Sequence, residues 1–196
     1  MLYLCLDKVW RTPAHHMFLF ARDVKKNMAD IFTTYQLPDD MSVYIANPGV
    51  SDPSMAPQGK SALYILVPVP NTRAAIDWQQ HKQLFRDRVF GLLEQRPEFM
   101  GLRSHIEKEA IITPHNWERD FNIFYGAPFS LAHSLDQMLC FRPRNRFEEV
   151  GNCFLVGGGT SPGSGLPTIY ESARISTNGI LREYGLAPYP SNPPPH

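Results

Sequence analysis

A surplus of either charge is missing from this sequence. Nineteen Lys and Arg balance nineteen Asp and Glu over 196 residues, so no overall field draws the chain to nucleic acid or to an anionic surface. Long hydrophobic runs are missing too. The longest, "ALYILVPVP" from Ala62, falls far short of the roughly 20 apolar residues that a spanning helix requires. Cysteine is scarce. Cys5, Cys140 and Cys153 are far apart, odd in number and form no CxxC pair, a pattern that fits a reducing compartment. Catalytic motifs are absent as well: there is no GxSxG, HExxH or P-loop. His105, His115 and His133 stand alone, and His15 and His16 are neighbours at a strand edge. Adjacent strand residues point to opposite faces, which argues against a shared metal. An enzyme so short of reactive side chains leaves the hard chemistry to a bound cofactor.

What is present is a mixed layer of helix and strand. The opening "MLYLCLDKVW" alternates like a strand rather than reading as a signal core. Strands are expected at 17–20, 42–45 and 63–67, rich in aromatic and β-branched residues. The last two flank a loop, "ANPGVSDPSMAPQGKS", whose prolines and glycines punctuate it, and they are expected to pair as antiparallel neighbours. A helix capped by Asp23 should bury Val24, Met28, Ile31, Phe32 and Tyr35. A second, from Asp77, has Gln80 placed for a capping box and should bury Trp78, Phe85, Val89, Leu92 and Leu93. The end, "LAPYPSNPPPH", reads as a disordered proline-rich tail. Its PxxP spacing (Pro190, Pro193) suits an SH3 groove, though a frayed terminus is the simpler reading.

The densest signal is "GNCFLVGGGTSPGSGLPTIYESARIS" at 151–176. It reads as a buried strand, a glycine turn and a helix. Pro167 suits the first helical turn and Gly185 the C-terminal stop. Cys153 falls in the strand as a small buried hydrophobe. Ser172, Ala173, Ser176 and Gly179 would let the helix approach a neighbour closely. Such a turn aims unpaired N–H groups and the positive end of a helix dipole at one point. The alternative is a tight connector with no ligand. It is not a dinucleotide fingerprint, because Thr168 stands where the last glycine of GxGxxG belongs.

These residues resemble the C-terminal flavin motif of the phytoene desaturase-type carotenoid desaturases, within the FAD-dependent amine oxidase superfamily. The stretches "YIANPGVSDPSMAPQGKSALYILVPVPN", "LRSHIEKEAIITPHNWERDFN" and "YGAPFSLAHSLDQMLCFRPRN" match in the same order. The resemblance covers all but the proline tail. It implies an α/β, mixed α+β chain and a partial two-domain FAD-dependent oxidoreductase. A mixed or antiparallel substrate-domain sheet with helices would occupy 1–145, the last strand and helix of a Rossmann-like FAD domain 146–185, and the tail 186–196. The GxGxxG unit with which family members begin is not in this sequence. A fragment, a split gene product and a truncated paralogue are all open readings.

The resemblance implies an FAD half-site at Gly158, Gly159, Thr160, Pro162, Gly163, Gly165, Leu166 and Pro167, with the Thr160 hydroxyl in reach of the ribityl chain. It implies an apolar, phytoene-like polyene as substrate, with Phe129, Leu131, Leu139 and Phe141 as wall candidates; ordinary core is their alternative. Arg142 and Arg144 flank Pro143, and either a flavin phosphate or the surface suits them. No metal is implied. Contact with the cytoplasmic side of a membrane, an N-terminal half as partner, and self-association follow as expectations. A related isomerase, ketolase or oxygenase, or a flavin-free module that only binds partners, is the competing reading.

Overall fold

The computed structural model describes residues 1–129 and 131–190. The chain forms two compact units, Met1–Ala127 and Pro128–His196. The 145/146 boundary drawn from the sequence falls inside the second unit.

The first unit is built on one antiparallel sheet. Its strands are β1 (Leu2–Leu6), β2 (His16–Leu19), β3 (Val43–Ala46), β4 (Ser61–Leu66) and β5 (Ile106–Ile111), in the order β2-β3-β4-β1-β5. Alternation decides which face is dry. Leu2, Leu4 and Leu6 are buried and the residues between them are exposed, and β4 alternates likewise from Ser61 to Leu66. The expected pairing of the strands around 42 and 63 is the β3–β4 ladder, with Ile45 opposite Ile65.

Three helices belong to this unit: α1 (Val24–Phe32), α2 (Trp78–Leu93) and α3 (Pro114–Phe121). The core cluster joins Trp78, Phe85, Val89, Phe90 and Leu93 of α2 to the buried aliphatic face of β1, β3 and β4, with Phe99 and Leu102. Asp77 caps α2 by accepting from the Gln79 and Gln80 backbones. The reciprocal bond expected from the Gln80 side chain is not made, and the full capping box lies at α3, between Thr113 and Asn116.

α1 departs from its sequence pattern. Asp23 caps it as expected, but Asn27, Asp30 and Ile31 are its buried residues, while Val24 and Phe32 are exposed. A local hydrogen bond goes with this orientation: the Ser42 N–H donates to Asn27 Oδ1 at 3.3 Å. Tyr35 lies beyond the helix end, at φ 54°. His15 also departs from expectation. The strand begins at His16, so His15 is free of the pleat and the two rings stack 4.1 Å apart. Among the described residues no three His, Cys, Asp or Glu side chains are grouped to hold a metal.

The second unit contains one long helix, α4 (Leu166–Glu183). The expected strand through 152–157 is not a sheet strand here. Its pairing is a short antiparallel bridge, Arg146 with Phe154, flanked by Phe147 N–H to Cys153 O and Leu155 N–H to Asn145 O at 2.9 and 2.8 Å. A regular central strand needs ladders on both edges, and this segment has one short partner. Cys153 is correspondingly half-buried. Gly185 ends α4 at φ 67°, with Leu186 N–H on Leu181 O and Gly185 N–H on Arg182 O, the bonding of a glycine C-cap. Asn178, itself buried, holds the chain beyond it: Tyr189 N–H donates to Oδ1 at 2.6 Å and Nδ2 donates to Tyr189 O at 2.9 Å. Pro193 and the rest of 191–196 lie outside the described residues.

Candidate functional site: a glycine turn at a helix N-terminus

The turn from Gly157 to Gly165 is held from behind by α4. Gly157 N–H donates to Ser172 Oγ at 3.1 Å and Ser176 Oγ donates to Leu155 O at 2.5 Å. Small side chains make this approach possible: a Cβ on Gly179 would lie 3.2 Å from the Phe154 ring. Asn145 Nδ2 sits among the Ser161 carbonyl at 2.9 Å and the Ser172 and Ser176 hydroxyls at 3.0 and 3.3 Å. The Pro143 carbonyl accepts from Thr160 Oγ1 at 2.7 Å and from Ser161 N–H at 2.9 Å.

Glycine is required at three points of the turn, the first being Gly157 at φ 115°. Gly163 sits at φ 137° and Gly165 at φ 108°, where a Cβ is strained. A Cβ at Gly158 would press on Ser164 at 3.2 Å. Gly165 is the N-cap of α4 and offers no side chain to it, and Pro167 occupies the first turn. The donors at the helix start therefore have no side-chain cap, the condition that favours an anion or a partly negative edge. Thr168 Oγ1 reaches back to the carbonyls of Ser164 and Gly165 at 2.6 and 2.7 Å, fixing the entry. His133 Nε2 meets Ser164 Oγ at 2.5 Å.

The predicted site residues separate by exposure. Gly165, Leu166 and Pro167 are exposed, Gly158, Gly159 and Pro162 are half-buried, and Gly163 and Thr160 are buried. The Thr160 hydroxyl donates to the Pro143 carbonyl. The two arginines are distinct. Arg144 is exposed and pairs with Glu148 at 3.0 Å, whereas Arg142 is buried, 3% exposed. Of the apolar wall candidates, Phe129 and Phe141 are exposed and Leu131 is half-buried, so these three are not core. The Leu139 side chain lies outside the described residues.

The first unit carries a surface that the sequence reading missed. On the sheet face opposite the core, Tyr3 and Tyr64 lie 5.2 Å apart, Tyr64 and Tyr44 5.9 Å, Tyr44 and Phe18 5.0 Å, and Phe18 and Phe20 6.2 Å. Burial, with Tyr3 and Tyr44 adding to it, pushes the Tyr64 phenol up to about 12. The signal was present in "LYL", "VYI" and "LYI": in each, one tyrosine stands out of phase with buried aliphatic neighbours.

No family model matches the chain. Curated relatives do. The chain is 54% identical over 184 residues to the 4,4'-diapophytoene desaturase (4,4'-diapolycopene-forming) of Methylomonas sp., an alignment covering 94% of this chain and 36% of that protein. It is 40% identical to the all-trans-zeta-carotene desaturase of Myxococcus xanthus, over 98% of this chain and 36% of that one. It is 37% identical to the lycopene-forming phytoene desaturase of Pseudescherichia vulneris, over 93% and 37% respectively. Over nearly all of its length the chain is thus similar to carotenoid desaturases. It spans little more than a third of the length of these relatives. Agreement over nearly all of this chain covers both the sheet unit and the glycine turn. No helix among the described residues is long and apolar enough to cross a membrane.

Proposed function

We propose that this chain supplies part of the substrate-side sheet and the flavin-ring side of an FAD-dependent carotenoid desaturase acting on a long, apolar, phytoene-like polyene. The observation that carries the reading is the uncapped start of α4 beside two glycines of positive φ, in a sequence 54% identical to a 4,4'-diapophytoene desaturase. A turn that admits no Cβ, next to free helix-start donors, fits a flat ring with an electron-rich edge. A flavin held at this turn would supply the hydride acceptor that desaturation needs.

The chain's own residues have supporting roles in this reading. Gly158, Gly159, Pro162, Gly163, Gly165, Leu166 and Pro167 border the ring, and Thr160 braces them from behind through Pro143. The N–H groups that open α4 favour negative charge at the ring edge. Phe129, Leu131, Leu139 and Phe141 offer apolar contact to the polyene. The substrate has no ionisable group, so apolar walls suffice for its recognition. The sheet and its helices through 145 serve the substrate, and 146–185 serves the flavin. Association with an N-terminal half, or with a second copy, covers the apolar side chains that the chain leaves open. Delivery of so apolar a substrate is consistent with contact at the cytoplasmic face of a membrane.

The test is flavin content. The purified 196-residue chain, desalted, is expected to be colourless and inactive, because the adenine and pyrophosphate cradle of the fold family is not in it. Fused to the N-terminal two-thirds of the Methylomonas relative, it is expected to hold flavin and to convert a C30 or C40 polyene to a more strongly absorbing product. A fusion that folds but carries no flavin would refute the reading.

A further inference from the structure

We propose that Arg142 is the positioning residue of the glycine turn, and that its buried guanidinium places a fixed positive charge beneath the turn's ligand face. The inference rests on the reading of that turn as flavin-facing.

Arg142 donates through Nε and Nη2 to the Gly158 carbonyl at 3.0 and 2.5 Å, and through Nη1 to the carbonyls of Gln137 and Ala132 at 2.9 and 3.4 Å. One side chain thus ties three separate points of the second unit together. It also lies alongside the turn, since a Cβ on Gly163 would stand 3.8 Å from its Cδ and Nε. All four contacts are to neutral backbone oxygens. Among the described residues no carboxylate lies within ion-pair distance of Arg142, although ten other basic side chains have one. Burying a charge without a counter-ion is costly. A planar fork is needed to reach separated carbonyls at once, and a lysine ammonium lacks it. The guanidinium is a cation. A cation beside a redox ring favours its reduced, more negative form.

The first arm of the test uses this chain and amide hydrogen exchange. Gly157, Thr160 and Ser161 each have a bonded N–H in the turn. Arg142→Met is expected to speed their exchange by roughly tenfold or more, as loss of charge-assisted hydrogen bonds implies, and to leave the β1–β4 ladder unchanged. Arg142→Lys is expected to fall between. If Arg142→Met loses the fold altogether, Arg142→Lys decides. Turn exchange equal to wild type in either variant would overturn the clamp. The second arm uses the fusion with the Methylomonas N-terminal two-thirds and reads flavin content and reduction potential. Arg142→Met is expected to retain flavin poorly and to shift the midpoint negative. Arg142→Lys is expected to retain it poorly with the midpoint kept, because charge survives where geometry does not. An unshifted midpoint in Arg142→Met would overturn the electrostatic role. A wild-type fusion without flavin would refute the flavin-facing reading, and with it the electrostatic role, while the exchange arm still decides the clamp.

Discussion

Replacing Gly165 by Ala adds one methyl group at the point where the turn becomes a helix. Gly165 sits at φ 108° and ψ 143°, close to the region that only glycine fills, and strain there costs about 1–3 kcal/mol. The added Cβ would also stand 3.3 Å from Thr168 Oγ1. That hydroxyl shares its one proton between the carbonyls of Ser164 and Gly165, so it cannot swing aside without losing its hold on them. Gly163→Ala meets only Arg142 at an ordinary 3.8 Å and is left with strain alone at φ 137°. Gly151→Ala is the control, with no atom within 4 Å and no positive φ. At about 1.4 kcal/mol per tenfold, the strain converts to turn opening roughly 5- to 150-fold more frequent. The assay is exchange of the Ile169 N–H, which bonds Gly165 O at 2.9 Å. The expected order of destabilisation is Gly165→Ala, then Gly163→Ala, then Gly151→Ala at wild-type level. In the flavin-loaded fusion, valine at 163 or 165 is expected to abolish turnover through loss of flavin. Equal exchange in Gly165→Ala and Gly151→Ala would refute the argument that this backbone demands glycine.

Phe90 is fully buried in the sheet unit, so Phe90→Ala is expected to cost about 3–5 kcal/mol and to lower the urea midpoint followed by tryptophan fluorescence; an unmoved midpoint would contradict the core assignment. Thr160→Val removes the donor to Pro143 O at nearly constant shape and is expected to loosen the turn by about 0.5–1.5 kcal/mol, whereas Thr160→Ser keeps the bond; equal exchange in the two would show that the hydroxyl is idle. The raised Tyr64 value, about 12, means that the unfolded chain releases this proton first. Its contribution is therefore intact below the ordinary phenol value of about 10 and lost as pH rises through about 12. Tyr64→Phe should lessen the fall in urea midpoint across that window, and an identical fall would refute the assignment.

Legibility followed the physics of each element. Strands with one dry face were visible because alternation has a period of two: β3 and β4 appear within two residues of expectation, and β1 takes only the first part of "MLYLCLDKVW". β5 was missed. Its sequence "IEKEAI" carries three charges, and the strand is held at a sheet edge by backbone pairing to β1, with Glu109 taking the Arg86 guanidinium at 2.6 Å. Helix α1 was placed correctly but turned wrongly, because its apolar stripe was assumed to face inward. The buried Asn27 and its bond to Ser42 are tertiary facts that periodicity does not contain.

In the candidate site, residue type was informative wherever backbone conformation alone set the requirement. Gly163, Gly165, Pro167 and Gly185 each stand where the chain needs that residue's φ or its missing N–H, and each was readable without knowing its neighbours. Side-chain partners were not readable. Arg142 and Arg144 flank one proline and look alike in sequence, yet one is buried against three stretches of backbone and the other pairs with Glu148 on the surface. Thr160 stood inside the motif and invited a ligand role, but its hydroxyl is bound to Pro143, behind the turn. The segment 142–145 contains no glycine, and its two arginines suited a flavin phosphate and the surface equally well. Its arginine, its asparagine and one proline carbonyl nevertheless brace the turn through hydrogen bonds that cross 16 to 18 residues of chain. A short motif therefore identifies the surface that meets a ligand, and the residues that hold that surface still must be sought where the motif ends.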